Sequence, residues 1–289
     1  VRVKIILKKL KMIIHGYSEE ELKKLPDNSV DLIITSPPYA DRRKNTYGGI
    51  AEDKYVEWFK LIAIEVKRVL SPNGSFFLNI KPHTNKGERS LYVFDLVIML
   101  KRELGFRFSD EFTWTKLGVP GKFKGRFKNA FEPVYHFTLQ SDYTHNPYAV
   151  AEKAKEVSLK RYKRKACGES QNGSGFAGMR KEITSELALP SNHLHIPQKS
   201  NQHTIQKNHS AVFPVELSTF FIKAFSNEGD VVLDIFGGSG TVAVSCIETN
   251  RDFIIIEKEA ENIDLIKKRV EEKRKEKDLT QKTLFGDGM

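Results

Sequence analysis

Two stretches of this chain carry residues whose types and spacing could do chemistry. The first is Ser36-Pro37-Pro38-Tyr39, set directly after the apolar run VDLIIT. Proline lacks an N–H and has a fixed φ, and the residue before a proline is held extended, so two consecutive prolines make a stiff turn with free carbonyls. A hydroxyl and a main-chain carbonyl on such a turn are acceptors fixed in place before any reaction begins. Taken alone, the tetrapeptide would serve equally well as a strand-ending turn with a packing tyrosine.

The second stretch, VVLDIFGGSGT, sets Asp234, Phe236, Gly237, Gly238, Ser239, Gly240 and Thr241 at the junction of a buried strand and a helix. Glycines let backbone approach a ligand closely, and a helix N-terminus offers free N–H groups. The next strand, DFIIIE, ends in Glu257, an acid about 20 residues beyond the loop, where a doubly wound fold reaches ribose hydroxyls. The glycines do not follow G-x-G-x-x-G, and the loop lacks the lysine of a phosphate-gripping P-loop. An adenosine-containing ligand without a phosphate handle, S-adenosyl-L-methionine, fits best; a tight turn without a ligand is what the loop alone leaves open.

With both stretches in view, LDIFGGSGT resembles the D-P-F-x-G-S-G-T loop of amino-methylating DNA methyltransferases, and SPPY resembles their catalytic tetrapeptide. Here the tetrapeptide precedes the loop by about two hundred residues, which is the permuted order of the beta group. HSAVFP at 209–214 is similar to that group's segment upstream of the loop, and IIHGYSEEELKKLPDNSVDLIITSPPY to its opening block. Ile235 replaces the usual proline of the loop, and Tyr17 stands where an acid often follows the glycine. The resemblance implies a cofactor site made of Gly16, Tyr17, Phe213, Pro214, the loop residues above and Glu257.

It also implies the chemistry of the tetrapeptide. The exocyclic amine of cytosine or adenine is a poor nucleophile because its lone pair is delocalised into the ring. Accepting hydrogen bonds from both of its N–H groups, at the Ser36 hydroxyl oxygen and the Pro37 carbonyl, localises that lone pair. Tyr39 offers a ring face to a base that has to be flipped out of the duplex. In the family, serine at the first position goes mostly with N4-cytosine and aspartate or asparagine with N6-adenine. The resemblance therefore implies an N4-cytosine enzyme of a restriction-modification system, acting on double-stranded DNA beside a cognate restriction endonuclease, in the manner of a group that often forms homodimers. The rivals are N6-adenine methylation on the same scaffold, a catalytically silent DNA-binding subunit, and an RNA or protein amino-methyltransferase. C5-cytosine methylation needs a cysteine nucleophile, and both Cys167, in a polar insert, and Cys246, inside a helix, read as structural.

The elements that must position these groups follow from hydrophobic periodicity. Apolar runs alternate with helical stretches through KMIIHG, SEEELKKLPDNS, VDLIITS, a helix from about 53 to 70, SFFLNI after the breaker SPNG, and SLYVFDLVIMLKREL. RFSDEFTWTK and FEPVYHFTLQ follow with no helix between them, as an antiparallel hairpin at a sheet edge. The rhythm resumes with PVELSTFFIKAFS and ends in a charged helix from about 260, with LTQKTLFGDGM as a tail. The expected fold is α/β and Rossmann-like, a mostly parallel sheet with helices on both faces. Its catalytic half spans 1–140, a polar and mobile target-recognition insert 141–205, and a cofactor half 206–289.

A net charge of +10 in 289 residues favours a polyanionic partner. DRRKNTYGG directly follows the tetrapeptide, and the hairpin loop reads GKFKGRFKN, which in extended chain sets its cations on one side. Arg42, Arg43, Lys44 and Tyr47, together with Lys122, Lys124, Arg126 and Lys128, are the expected DNA contacts. A third basic cluster, KRYKRK, lies in the insert, while LIKKRVEEKRKEKD mixes both signs at helical spacing and reads as a solvated helix. Two cysteines are too few for a disulfide framework or a metal cluster and point to a reducing cytoplasm. The start of the chain has only a three-residue apolar run and no small-residue cleavage site, which argues against a signal peptide. His193, His195, His203 and His209 read as polar-network residues, not as metal ligands.

Overall fold

The computed structural model describes residues 11–40, 49–85, 87–116, 125, 127–154, 187–197 and 214–285. The apolar runs form β1 (Lys11–His15), β2 (Val30–Thr35), β3 (Leu70–Asn79), β4 (Arg107–Thr115), β5 (Phe131–Thr138), β6 (His193–Leu194), β7 (Val231–Asp234) and β8 (Asp252–Glu257). These build one sheet in the order β1-β8-β7-β2-β3-β5-β4-β6. From β1 to β3 every neighbouring pair is parallel, whereas β5 runs antiparallel to both β3 and β4.

Side chains alternate across this sheet, and both faces are covered by helices, so both sets are apolar. Along β2, Ile33 joins a core with Tyr55, Phe59 and Leu96 from α2 (Glu52–Val69) and α3 (Tyr92–Arg102). Its neighbours Leu32 and Ile34 join Phe221, Cys246 and Ile266, carried by α4 (Val215–Phe225), α5 (Thr241–Glu248) and α6 (Ala260–Phe285). In β8, Ile254 and Ile256 face the first core while Phe253 and Ile255 face the second. Among the described residues no helix is long and apolar enough to cross a membrane.

Three features refine the sequence expectations. SPNG does not separate helix from strand, because β3 begins at Leu70 and absorbs those residues where its register with β2 shifts between Val30 and Leu32. The hairpin of β4 and β5 has the two-residue β6 outside it, fixed by buried Leu194 and by Trp114 Nε1 donating to the Ile196 carbonyl at 2.8 Å. α6 runs on to Phe285, so most of the expected tail is helix. Ion pairs such as Lys275 with Glu271 at 2.7 Å support that length, and no glycine or proline interrupts it before Gly286.

The described flanks of the 141–205 stretch pack on the sheet body. His145 stacks on Phe225 at 5.1 Å between ring centroids, and the Asn146 N–H donates to the Ala224 carbonyl at 2.6 Å.

Candidate active site

Parallel strands collect their carboxyl ends along one edge, and an antiparallel strand brings its amino end there. The result is a single rim that holds Glu257 from β8, Asp234 and the glycine loop from β7, Ser36 to Tyr39 after β2, Lys81 after β3, Glu132 at the start of β5, and Lys116 after β4. Open α/β sheets bind ligands along this edge.

One side of the rim is built around the glycine loop between β7 and α5. Gly237 is required by packing, since a Cβ there would come within 2.3 Å of Ile255 Cγ2, and Gly240 by its left-handed φ of 77°. The Glu257 carboxylate accepts from the Gly238 N–H at 2.7 Å and from the Glu259 N–H at 2.9 Å. The Arg269 guanidinium of α6 donates to the Ser239 carbonyl at 2.5 Å and to its hydroxyl at 3.0 Å, bracing the loop from behind. Ser239 and Thr241 hydroxyls lie 3.3 Å apart. Phe236 sets its ring 5.9 Å from that of Trp58, whose indole N–H donates to Glu19 at 2.7 Å. Gly16 closes the side, its N–H donating to the Glu257 carbonyl at 3.0 Å. Tyr17 is exposed, with the Lys258 ammonium 6.0 Å from its ring centroid. Pro214 caps α4 at its amino end.

Asp234 is buried and acts inward. Its Oδ1 accepts from the Thr35 hydroxyl at 2.9 Å and from the Phe236 N–H at 3.1 Å. Burial pushes its carboxyl up to about 7; the Phe236 N–H and Thr35 oppose that rise, while the Glu257 charge adds to it. A loop flanked by a carboxylate favours hydroxyl donors and cationic groups over phosphates, which suits a ribose and a sulfonium.

On the proline-turn side of the rim, Pro37 is buried while Ser36, Pro38 and Tyr39 are partly buried. The Tyr55 hydroxyl, reaching across from α2, donates to the Pro38 carbonyl at 2.8 Å and pins the turn from below. The Tyr39 hydroxyl lies 3.4 Å from Glu132 Oε2. Burial, then the charge of Glu132, hold the Tyr39 phenol well above its usual pKa, so it stays protonated.

Glu132 is itself buried and pairs with Lys116 at 2.7 Å and with Lys81. Burial works against its charge, but the two ammonium groups more than offset this and hold the carboxyl below the usual carboxylate range. Lys116 also lies 4.4 Å from the Trp114 ring centroid, and burial lowers its own pKa against the pull of Glu132.

The structure thus brings Ser36, Pro37, Pro38, Tyr39, Gly16, Asp234, the glycine loop and Glu257 to one rim. Phe213, Arg42, Arg43, Lys44, Tyr47, Lys122, Lys124 and Arg126 lie outside the described residues. Lys128 is described and exposed. His193 belongs to a polar pair, with Nε2 at 2.6 Å from the Thr115 hydroxyl, and Cys246 is buried with a free thiol.

Sequence reasoning passed over Thr35, Tyr55, Glu132 and Arg269. A signal existed for Glu132, because an acid in the apolar strand FEPVYHFT is rarely buried without a partner. Thr35 was detectable only as the polar end of an apolar strand.

Residues 30–268 match the DNA methylase family of the N6 and N4 type. The type II methyltransferase M.PvuII of Proteus hauseri is 32% identical over 273 residues, which cover 86% of this chain and 80% of that protein. The DNA adenine methyltransferase YhdJ of Escherichia coli (strain K12) is 31% identical over 259 residues, 88% of this chain and 81% of its own. Among solved structures, the PvuII cytosine-N4-specific DNA methyltransferase superposes with a TM-score of 0.68 at 27% identity, covering 91% of this chain and 89% of that one. A Thermus thermophilus protein complexed with S-adenosyl-L-methionine shares the fold, with a TM-score of 0.61 at 20% identity over 91% of this chain and 94% of its own.

Proposed function

This chain belongs to the N6/N4 family of DNA methylases, and we propose that within it the enzyme transfers the methyl group of S-adenosyl-L-methionine to N4 of a flipped-out cytosine in duplex DNA. The observation that carries the cytosine assignment is Ser36 itself, at the rim between the glycine loop and the Tyr39 ring. Its hydroxyl oxygen and the Pro37 carbonyl accept the two amine N–H groups, and Tyr55 holds the turn that carries both by its bond to the neighbouring Pro38 carbonyl. S-adenosyl-L-methionine supplies the methyl group; Glu257 accepts its ribose hydroxyls, and Gly16, Pro214, Phe236 and the loop Gly237 to Thr241 form its surroundings, with Phe213 and Tyr17 at the margin.

The 31% identity to an adenine methyltransferase keeps N6-adenine as the specific second reading. Mass spectrometry of nucleosides from DNA methylated by the purified enzyme separates the two: N4-methylcytosine is expected, and N6-methyladenine alone would overturn the cytosine assignment.

The DNA surface we propose runs from Arg42, Arg43, Lys44 and Tyr47 to Lys122, Lys124, Arg126 and Lys128, with the 141–205 stretch as the target-recognition region. Support comes from the chain path, because the basic loop between β4 and β5 springs from Lys116 and returns at Glu132, both on the rim. The setting we infer is a cytoplasmic restriction-modification system with a cognate endonuclease acting on the same site. A homodimer fits the exposed apolar residues Leu61, Ile64, Phe94 and Ile98 on the neighbouring helices α2 and α3, and light scattering of the purified protein reads its mass directly.

A further inference from the structure

The buried Glu132 carboxylate gathers two ammonium groups at the rim, so the cluster carries one positive charge in excess. Strand register explains the gathering. β3 pairs with β5 at Asn79 and Val134, which continued by two residues sets Lys81 opposite Glu132, while β4 sets Trp114 opposite Glu132 from the other side. Residues directly opposite share a face of the sheet.

The two lysines differ in what is left to them. The Lys116 ammonium is held between Glu132 at 2.7 Å and the Trp114 ring, and its side chain is 18% exposed. The Lys81 ammonium gives one of its three N–H groups to Glu132, and its side chain is 29% exposed. It also comes from β3, the strand beside β2 and its proline turn.

Lys81 is fixed relative to that turn. Its carbonyl accepts from the Tyr92 hydroxyl at 3.1 Å, the Tyr92 ring meets the Tyr55 ring edge-on at 4.8 Å, and the Tyr55 hydroxyl donates to the Pro38 carbonyl at 2.8 Å. One pair of buried tyrosines therefore holds both backbones. The Lys81 ammonium ends on the Glu132 carboxylate, whose other oxygen stands 3.4 Å from the Tyr39 hydroxyl, so it lies toward the hydroxyl end of the Tyr39 ring.

We propose that Lys81 is a specificity-determining residue that donates to the O2 carbonyl of the target cytosine. The proposal rests on the reading above, in which the amine meets Ser36 and Pro37 and the base lies along the Tyr39 ring. Cytosine carries its amine, N3 and O2 in a row on one edge, whereas adenine carries its amine, N1 and a C–H. An ammonium at the far end of that edge tells a carbonyl from a C–H. Glu132 and Lys116 keep the Lys81 side chain from swinging into solvent, so less freedom is lost when the base arrives. A cation at O2 also draws the amine lone pair toward the ring, so the contact selects the base and does not speed the transfer.

The test uses duplex DNA carrying the recognition sequence, identified first by sequencing methylated DNA. Its target is either cytosine or a 2-aminopyridine C-nucleoside, which keeps the amine and the ring nitrogen but has C–H in place of the O2 carbonyl. Removing O2 should lower kcat/KM about 10- to 100-fold more in wild type than in Lys81→Met, the scale of one hydrogen bond to a charged group. On cytosine, Lys81→Met should raise KM without lowering kcat, and cofactor affinity by calorimetry should match wild type because Glu132 keeps Lys116. Equal losses from the analogue in wild type and Lys81→Met would overturn the proposal and mark Lys81 as a phosphate or packing residue. A wild type that methylates the analogue as well as cytosine would overturn it without any variant. Nucleoside mass spectrometry of the wild-type product keeps the two readings apart: N6-methyladenine alone overturns both, whereas N4-methylcytosine with equal analogue losses overturns only the role of Lys81.

Discussion

The Thr35 hydroxyl donates to Asp234 Oδ1 at 2.9 Å, joining the residue before Ser36 to the acid that heads the glycine loop. β2 and β7 are neighbours in the sheet, so the bond ties the proline turn after β2 to the glycine loop after β7. Both residues are buried. Thr35→Val keeps the shape and removes the donor, so stability should fall by about 1–2 kcal/mol. Turnover should fall severalfold more than cofactor affinity; comparing denaturant melts with single-turnover rates checks both.

Asp234 also makes a pH prediction. Its carboxyl is raised to about 7 by burial, against an unfolded value of about 4. Between these values the unfolded chain has released its proton while the native state keeps it, so stability falls as pH rises through that window. The cost is complete above about pH 7. Asp234→Asn keeps an oxygen for Thr35 and Phe236 without the charge. Its melting temperature should exceed the wild type's by a few degrees at pH 8, and the gap should shrink toward pH 4. A constant gap from pH 4 to pH 8 would remove Asp234 as the titrating group.

Glu257 makes the cofactor prediction. Its two oxygens already accept from the Gly238 and Glu259 N–H groups, and we propose that the same carboxylate receives the ribose hydroxyls. Glu257→Ala removes both functions, so S-adenosyl-L-methionine affinity by calorimetry should drop by about 10- to 100-fold, the scale of charge-assisted hydrogen bonds.

How much of this was legible beforehand divides along sequence distance. Ser36 to Tyr39 and Gly237 to Thr241 announce themselves because each works through local backbone, a rigid turn or a strand-to-helix junction, which a few consecutive residues encode. Glu257 was legible because the fold spaces it from the loop along the chain. Glu132 lies against a tyrosine 93 residues away, and only the order of strands brings the two together. Tyr55 looked like one more apolar contact on α2, since its use lies in a hydroxyl that periodicity does not see. Arg269 sat in a helix read as solvated, and its contact with Ser239 depends on the side of α6 that packs against the loop. The length of α6 was underestimated because a weakly apolar, charged run carries little periodic signal, although ion pairs keep it helical.

DNA binding gives a prediction independent of the chemistry. If the hairpin loop follows the phosphate backbone, Lys122→Ala with Lys124→Ala should reduce the salt dependence of DNA affinity by roughly two charges, with similar losses on cognate and unrelated sequences. Fluorescence anisotropy at several salt concentrations measures the slope. An unchanged slope would place the loop away from DNA.

The last prediction separates the groups proposed to touch the amine from the group that holds their turn. Ser36→Ala removes the hydroxyl proposed to accept from the reacting amine and should lower kcat by about a hundredfold or more, with cofactor affinity little changed. Tyr55→Phe removes a hydrogen bond at 2.8 Å to the Pro38 carbonyl, one residue beyond the carbonyl assigned to the amine. Two prolines still stiffen the turn without it, so the loss in kcat should be smaller, about tenfold or less. The order of the two effects is the test, because a turn held mainly from outside would suffer more from losing Tyr55 than from losing one of its acceptors. Single-turnover rates with saturating cofactor and DNA measure that order directly, and a Tyr55→Phe loss equal to that of Ser36→Ala would mean that α2, not the proline pair, keeps the acceptors in place.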